Sequence, residues 1–141
     1  MNMRAEIFPK KLIKKKRITA YALIINGDKF LLVQEAVGKI RGLWGLPGGG
    51  VKKGELPRQA AEREAEEEVG YNIEIIGKVG TYNDKEKMSI RNVFSARVIG
   101  GELKTRKIEL MDAQWFALEE VQEIKHKLRG EWVWEAINTR H

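Results

Sequence analysis

The chain has 141 residues, no cysteine, a formal net charge of +6, and 43% apolar and 33% charged residues. That is one domain's worth of chain, able to bury roughly 70% of the surface it exposes when unfolded. A disulfide framework, a zinc–thiolate site and a cysteine nucleophile are excluded, and no apolar run approaches a membrane span or a signal peptide, so a soluble, cytoplasmic, single-domain protein is expected.

The charge is unevenly placed. Lys10, Lys11, Lys14, Lys15, Lys16 and Arg17 fall within eight residues, and Lys125, Lys127, Arg129 and Arg140 form a second basic group. The stretch from Glu62 to Glu68 runs the other way. Residues 1–17 are read as a basic segment leading into a domain over 18–141. Its lysines are expected to solvate a strand edge, peripheral to any chemistry; a polyanion such as RNA is the competing partner.

The first elements are strands. Ile18 to Ile25 is apolar and β-prone, and Lys29 to Gln34 is a second strand-like run. Asn26-Gly27 between them predicts a hairpin with a type I′ turn. Glu35 to Gly50 is rich in glycine, contains Trp44, Leu46 and Pro47, and reads as an ordered loop. A helix is predicted over Arg58 to Val69, with Pro57 in its first turn and Gly70 as its C-terminal cap. Its alanines at 60, 61 and 65 would let it approach a sheet closely.

Strands are predicted over Asn72 to Tyr82 and Met88 to Ile99, joined by a turn at Asn83-Asp84-Lys85, with imperfect alternation. Ala113 to Ala117 is a short strand. Glu119 to Leu128 is helical by the spacing of Val121, Ile124 and Leu128. A last amphipathic helix contains Trp132, Trp134, Ala136 and Ile137. Strands with interspersed helices predict an α/β protein, helices packed on a mixed β-sheet.

The central helix carries a chemical problem. Glu64, Glu67 and Glu68 stand at i, i+3 and i+4 and share a face. At an effective dielectric near 20, each pair costs about 2 to 3 kcal/mol if partly buried. Either water solvates the face or a cation sits on it. The loop Leu46-Pro47-Gly48-Gly49-Gly50 leads into this helix, and its glycines allow the backbone close to a ligand. An all-oxygen set suits Mg²⁺ or Mn²⁺, hard ions that bridge to phosphate.

From Gly49 to Tyr71 the chain reads GGVKKGELPRQAAEREAEEEVGY. This resembles the Nudix box of the MutT-like pyrophosphohydrolases. Gly49, Glu55, Arg63, Glu64, Glu67, Glu68 and Gly70 fill the fixed positions. Ala65 and Tyr71 occupy the two apolar slots, as mild departures. A looser resemblance covers nearly the whole chain.

The resemblance implies a Nudix fold, an α/β/α sandwich, and metal-dependent attack of water on phosphorus in a nucleoside diphosphate linked to another moiety. By resemblance, Glu67 and Glu68 hold metal, Glu64 is a ligand or the base, and the Gly49 carbonyl is a further ligand. Arg63 orients Glu64. Gly48, Glu55 and Gly70 are structural within the motif. Glu109 is the best candidate for a further acidic residue from a later loop, with Asp112 next.

Lys39 and Arg41 could contact substrate phosphates, as could Arg91. Trp44, Tyr82, Phe94, Trp132 and Trp134 are candidates for base stacking, with Phe94 read as core. His126 and His141 have no partner pattern. The chain has no proline after Pro57 and none of the family's substrate tags, which favours a nucleoside triphosphate or similar small diphosphate. The alternative is a Nudix-like module that binds nucleotide or RNA without turnover; the intact Arg63-Glu64 and Glu67-Glu68 favour the enzyme.

Overall fold

A computed structural model describes residues 16–84, 88–105 and 108–139. Strand β1 (Arg17–Asn26) is the spine of a seven-stranded mixed sheet. It pairs antiparallel with β2 (Lys29–Glu35) and with the short β4 (Gly48–Gly50). It pairs parallel with β6 (Ser89–Gly101), which carries the long edge strand β5 (Tyr71–Asp84). On the other side, β2 carries β3 (Trp44–Gly45) and β7 (Leu110–Ala117).

The continuous apolar run in β1 exists because both faces of the sheet are covered. Tyr21 and Leu23 point into one core, Ala20, Ala22 and Ile24 into the other. Strand β2 divides the same way, Phe30 and Leu32 against Leu31 and Val33. Helix α1 (Pro57–Val69) covers the second face through Ala60, Ala61, Ala65 and Val69. Helices α2 (Leu118–Glu123) and α3 (Glu131–Thr139) cover the first through Val121, Trp132, Val133, Ala136 and Ile137. Each fully buried valine, leucine or phenylalanine contributes roughly 1.5–3 kcal/mol by leaving water.

Helix α1 ends where the sequence predicts. Gly70 adopts φ 79°, a left-handed conformation that suits glycine, and its N–H donates to the Glu66 carbonyl at 3.1 Å.

Three expectations are corrected. The hairpin turn is centred on Gly27 and Asp28, because Asn26 still pairs with Lys29. Only Gly27 of the two has positive φ, at 65°, as a type II′ turn requires, rather than the type I′ turn expected. The segment Glu35 to Gly50 is not all loop: it holds a 3₁₀ turn at Gly38–Ile40 and strands β3 and β4. The helix expected over Glu119 to Leu128 stops at Glu123 and passes into a 3₁₀ turn, Lys125–Lys127. Leu128 is extended and bridges Trp44, a pairing that a continuing helix would forbid. The uneven alternation of β5 has a cause in three register shifts against β6. Of the turn expected at Asn83-Asp84-Lys85, Asn83 and Asp84 still belong to β5 and pair with Ile90 and Ser89; residue 85 lies outside the described residues, as do residues 10–15 and 140–141.

Candidate active site

Helix α1 turns two carboxylates inward. Glu64 and Glu68, one turn apart, are only 4% and 5% exposed, whereas Glu62 and Glu66 face solvent. The inward pair lies beside the alanine stripe that holds the helix on the sheet, so the packing that seats α1 also seats the acids.

Strand β4 lies against them. The Gly48 N–H donates to Glu68 Oε2 at 2.9 Å. A Cβ on Gly49 would fall 2.5 Å from Glu64 Oε2, so this backbone approaches the carboxylate as only glycine can. A Cβ on Gly48 would instead meet the Ala20 carbonyl at 2.3 Å.

Arg63 ties the loop to the helix. Its Nε and Nη2 donate to the two Glu55 oxygens at 2.8 and 3.0 Å, a bidentate pair. Nη2 also donates to the Gly50 carbonyl at 3.0 Å, and Nη1 to Glu67 Oε2 at 3.1 Å. Glu64 Oε1 stands farther away, 3.6 Å from Nη1. The short bonds of Arg63 therefore go to Glu55, Gly50 and Glu67. These bonds, with the Lys52 N–H donating to Glu55 at 3.0 Å, pull the Glu55 carboxyl down to about 2. Glu55 in turn holds Arg63 more firmly protonated.

The inward pair opens on a groove of about 360 Å³, lined also by Arg17, Glu35, Glu109 and Arg129. Glu35 comes from the end of β2. Glu109 precedes β7, and its carbonyl accepts from the Ala36 N–H at 2.6 Å, which fastens this loop beside Glu35. Burial pushes the Glu35 carboxyl up; Arg129, whose Nη1 stands 3.4 Å from Glu35 Oε2, opposes the shift, and Glu109 adds to it.

Of the residues singled out in the sequence, Gly48, Gly49, Glu64, Glu68 and Glu109 share this groove. Glu67 is half exposed and turned to Arg63. Lys39 and Arg41 lie outside the groove lining, and Arg41 donates back to the Ala36 carbonyl of its own loop. Asp112 accepts from the Ala113 N–H and from Gln114 on β7. Tyr82 and Arg91 line a separate cavity. Trp132 and Trp44 are buried in the core, where their rings pack on Tyr21 and Phe116.

Three groove residues escape sequence reasoning. Glu35 and Arg129 belong to no motif; Glu35 ends β2, and Arg129 is brought to it by the bond of its N–H to the Trp44 carbonyl. Arg17 belongs to the basic run expected to be peripheral. In the structure β1 begins at Arg17, which lines the groove beside Gly50.

The donor set fits a hard divalent cation: the groove carries Glu35, Glu64, Glu68 and Glu109, all oxygen donors, against two guanidinium groups. With Glu67 drawn to Arg63 and Glu68 on the Gly48 N–H, no three acidic or histidine side chains among the described residues form a closed metal cage. A Mg²⁺ that keeps several of its waters does not need one. No described helix is long and apolar enough to cross a membrane.

The chain is similar in sequence and fold to known proteins. The chain is 36% identical over 114 residues to the mouse protein 8-oxo-dGDP phosphatase NUDT18, covering 78% of this chain and 35% of that one. It is 30% identical over 133 residues to the ADP-ribose pyrophosphatase of Methanocaldococcus jannaschii, covering 84% and 78%. It spans about a third of the length of the mouse relative. Among solved structures, a NUDIX hydrolase from Nitrosomonas europaea superposes with a TM-score of 0.81 at 26% identity, covering 90% of this chain and 89% of that one. The sequence model of the NUDIX domain matches residues 15–135, and with the glutamate helix, the glycine strand and the mixed sheet in place, the chain belongs to the NUDIX family.

Proposed function

We propose that this chain hydrolyses a phosphoric anhydride bond in a nucleoside diphosphate derivative, with a divalent cation, Mg²⁺ or Mn²⁺. The observation that carries the reading is the pair of buried carboxylates, Glu64 and Glu68, set against a glycine strand and opening on a groove also lined by Arg17 and Arg129. Burying like charges without compensation is costly, and a divalent cation held by Glu64 and Glu68 would offset that cost.

Glu64 and Glu68 would hold the cation, with the Gly49 carbonyl beside them, and Glu67, drawn to Arg63, would join them only by leaving that partner. Bound there, the cation would polarise phosphorus and acidify water. Arg63 fixes the loop on the helix through Glu55 and Gly50, which keeps the glycine strand at its distance from Glu64. A water oxygen bonds to phosphorus, the anhydride P–O bond breaks, and the departing phosphate takes the electron pair. The water's proton passes to a groove carboxylate, Glu64 or Glu109, and the pH–rate profiles of Glu64→Gln and Glu109→Gln separate the two. Arg17 and Arg129 offer guanidinium groups to the phosphate oxygens.

The relatives' names cover 8-oxo-dGDP and ADP-ribose, so the substrate class proposed is the shared one, a nucleoside diphosphate, either free or linked to a second group. The test is a screen of the purified chain with Mg²⁺ against nucleoside triphosphates, oxidised nucleotides, ADP-ribose, dinucleoside polyphosphates and capped RNA, with products identified. Cleavage between phosphates supports the reading. Tight nucleotide binding without product across the whole panel would favour a binding module instead.

A further inference from the structure

We propose that the chain carries a second binding site, for a small amphiphilic acid, in a cavity at the start of α1: an apolar wall takes the alkyl chain, and Lys78 and Arg58 take the carboxylate. The cavity, about 240 Å³, is lined by Leu56, Pro57 and Arg58 at the head of α1 and by Lys78, Asn92 and Phe94 on β5 and β6. None of these residues lines the acidic groove, so the site is independent of the hydrolytic reading.

The strand aims Lys78 at this cavity. Register shifts against β6 fall on both sides of it, between Ile75 and Gly77 and between Lys78 and Gly80. Bulges of that kind re-aim a side chain. Lys78 is set opposite Phe94, whose ring packs on the face that α1 covers. The Lys78 Nζ donates to Asn92 Oδ1 at 3.0 Å and stands 6.0 Å from the Phe94 ring centre. Asn92 is only 8% exposed, and its Nδ2 donates to the Thr19 carbonyl of β1 at 3.2 Å. A buried amide to which the hydrolytic reading gives no task thus holds the ammonium at the cavity. An ammonium has three N–H donors, so Lys78 keeps donors for a ligand.

The lining selects the ligand. Leu56 is 52% exposed, and with Pro57 and the Phe94 ring it offers apolar surface that an alkyl chain would take out of water. No carboxylate lines the cavity, and among the described residues neither Lys78 nor Arg58 has an ion-pair partner. Two cations beside an apolar wall fit an anion with an apolar tail and repel an amine with the same tail. The volume lies below the roughly 300–1,000 Å³ of pockets for drug-sized ligands, which suits a short alkyl chain better than a nucleotide.

The probe is octanoate, titrated into the full chain and followed by NMR, with octylamine, 1-octanol and acetate as comparisons. Octanoate is expected to shift the resonances of Leu56, Lys78 and Phe94. It should bind about 10-fold tighter than each of the other three, the scale set by hydrogen bonds to charged groups. The double variant Lys78→Gln with Arg58→Gln changes two exposed side chains and leaves Asn92 a donor. It should fold as wild type and erase the preference for octanoate over octanol. Leu56→Ser removes part of the apolar wall and keeps a good N-cap; it should weaken octanoate and octanol alike. Octanoate that binds no tighter than octylamine or acetate, shifts that map away from these residues, or an unchanged preference in the double variant would overturn the assignment.

Discussion

A carboxylate buried in a groove wall is expensive by several kcal/mol unless bonds or counter-charges offset it, which makes Glu64 and Glu68 the residues to test first. Glu68→Gln keeps the shape and removes a charge. Losing an outer-shell partner of a metal ligand already costs 10–100-fold, so a ligand itself should cost about 100-fold or more in turnover. The solvent-facing Glu66→Gln should fold and turn over like wild type, as surface changes do within about 0.5 kcal/mol. Parallel kinetics and melting curves check both, and equal losses would show that the inward face is misassigned. Glu55 gives a prediction in pH. Arg63 holds its carboxyl at about 2, against an ordinary 4.5. Its contribution to stability is therefore complete above pH 4.5 and is lost as pH falls from there toward 2. Melting temperatures at pH 7, 5, 4 and 3 should fall less steeply for Glu55→Gln than for wild type across that window.

At the scale of elements, β4 and α1 act as one unit, and two neighbouring glycines divide its labour. Gly48→Ala drives a methyl into the backbone of β1, and overpacking of that kind costs about 1–3 kcal/mol. Gly49→Ala meets the end of the Glu64 side chain, which can swing aside. The first variant should melt lower; the second should fold nearly as wild type yet lose turnover, because Glu64 has been displaced. Melting and kinetics on both variants separate these outcomes. The helix was legible in the sequence since Pro57, the alanines and Gly70 are local signals. The end of α2 was not, because the Trp44–Leu128 bridge that stops it lies 84 positions apart in sequence. The hairpin was legible but its turn was displaced by one residue, since Asn-Gly and Gly-Asp overlap at Gly27 and pairing of Asn26 with Lys29 decides between them.

At the scale of the molecule, the fold assembles a site from six separated segments. Pairing of β1 with β4 brings Arg17 beside the glycine strand, and pairing of β2 with β7 sets Glu35 beside Glu109. Arg129 arrives through its bond to Trp44. The motif exposed the acidic helix because its residues are contiguous, whereas the opposite wall comes from strand neighbours whose register no local pattern encodes. The two cores hold these segments in place from either face of the sheet, so the groove is a product of the whole fold.

If the inward glutamates hold a cation, cleavage depends on it. The measurement that tests it most directly is hydrolysis of the best substrate in Mg²⁺ and again in excess EDTA, with the products identified. Two phosphate-bearing products are expected in Mg²⁺, no turnover with chelator, and full recovery when Mg²⁺ is restored. Undiminished cleavage of the anhydride bond in excess EDTA would contradict it.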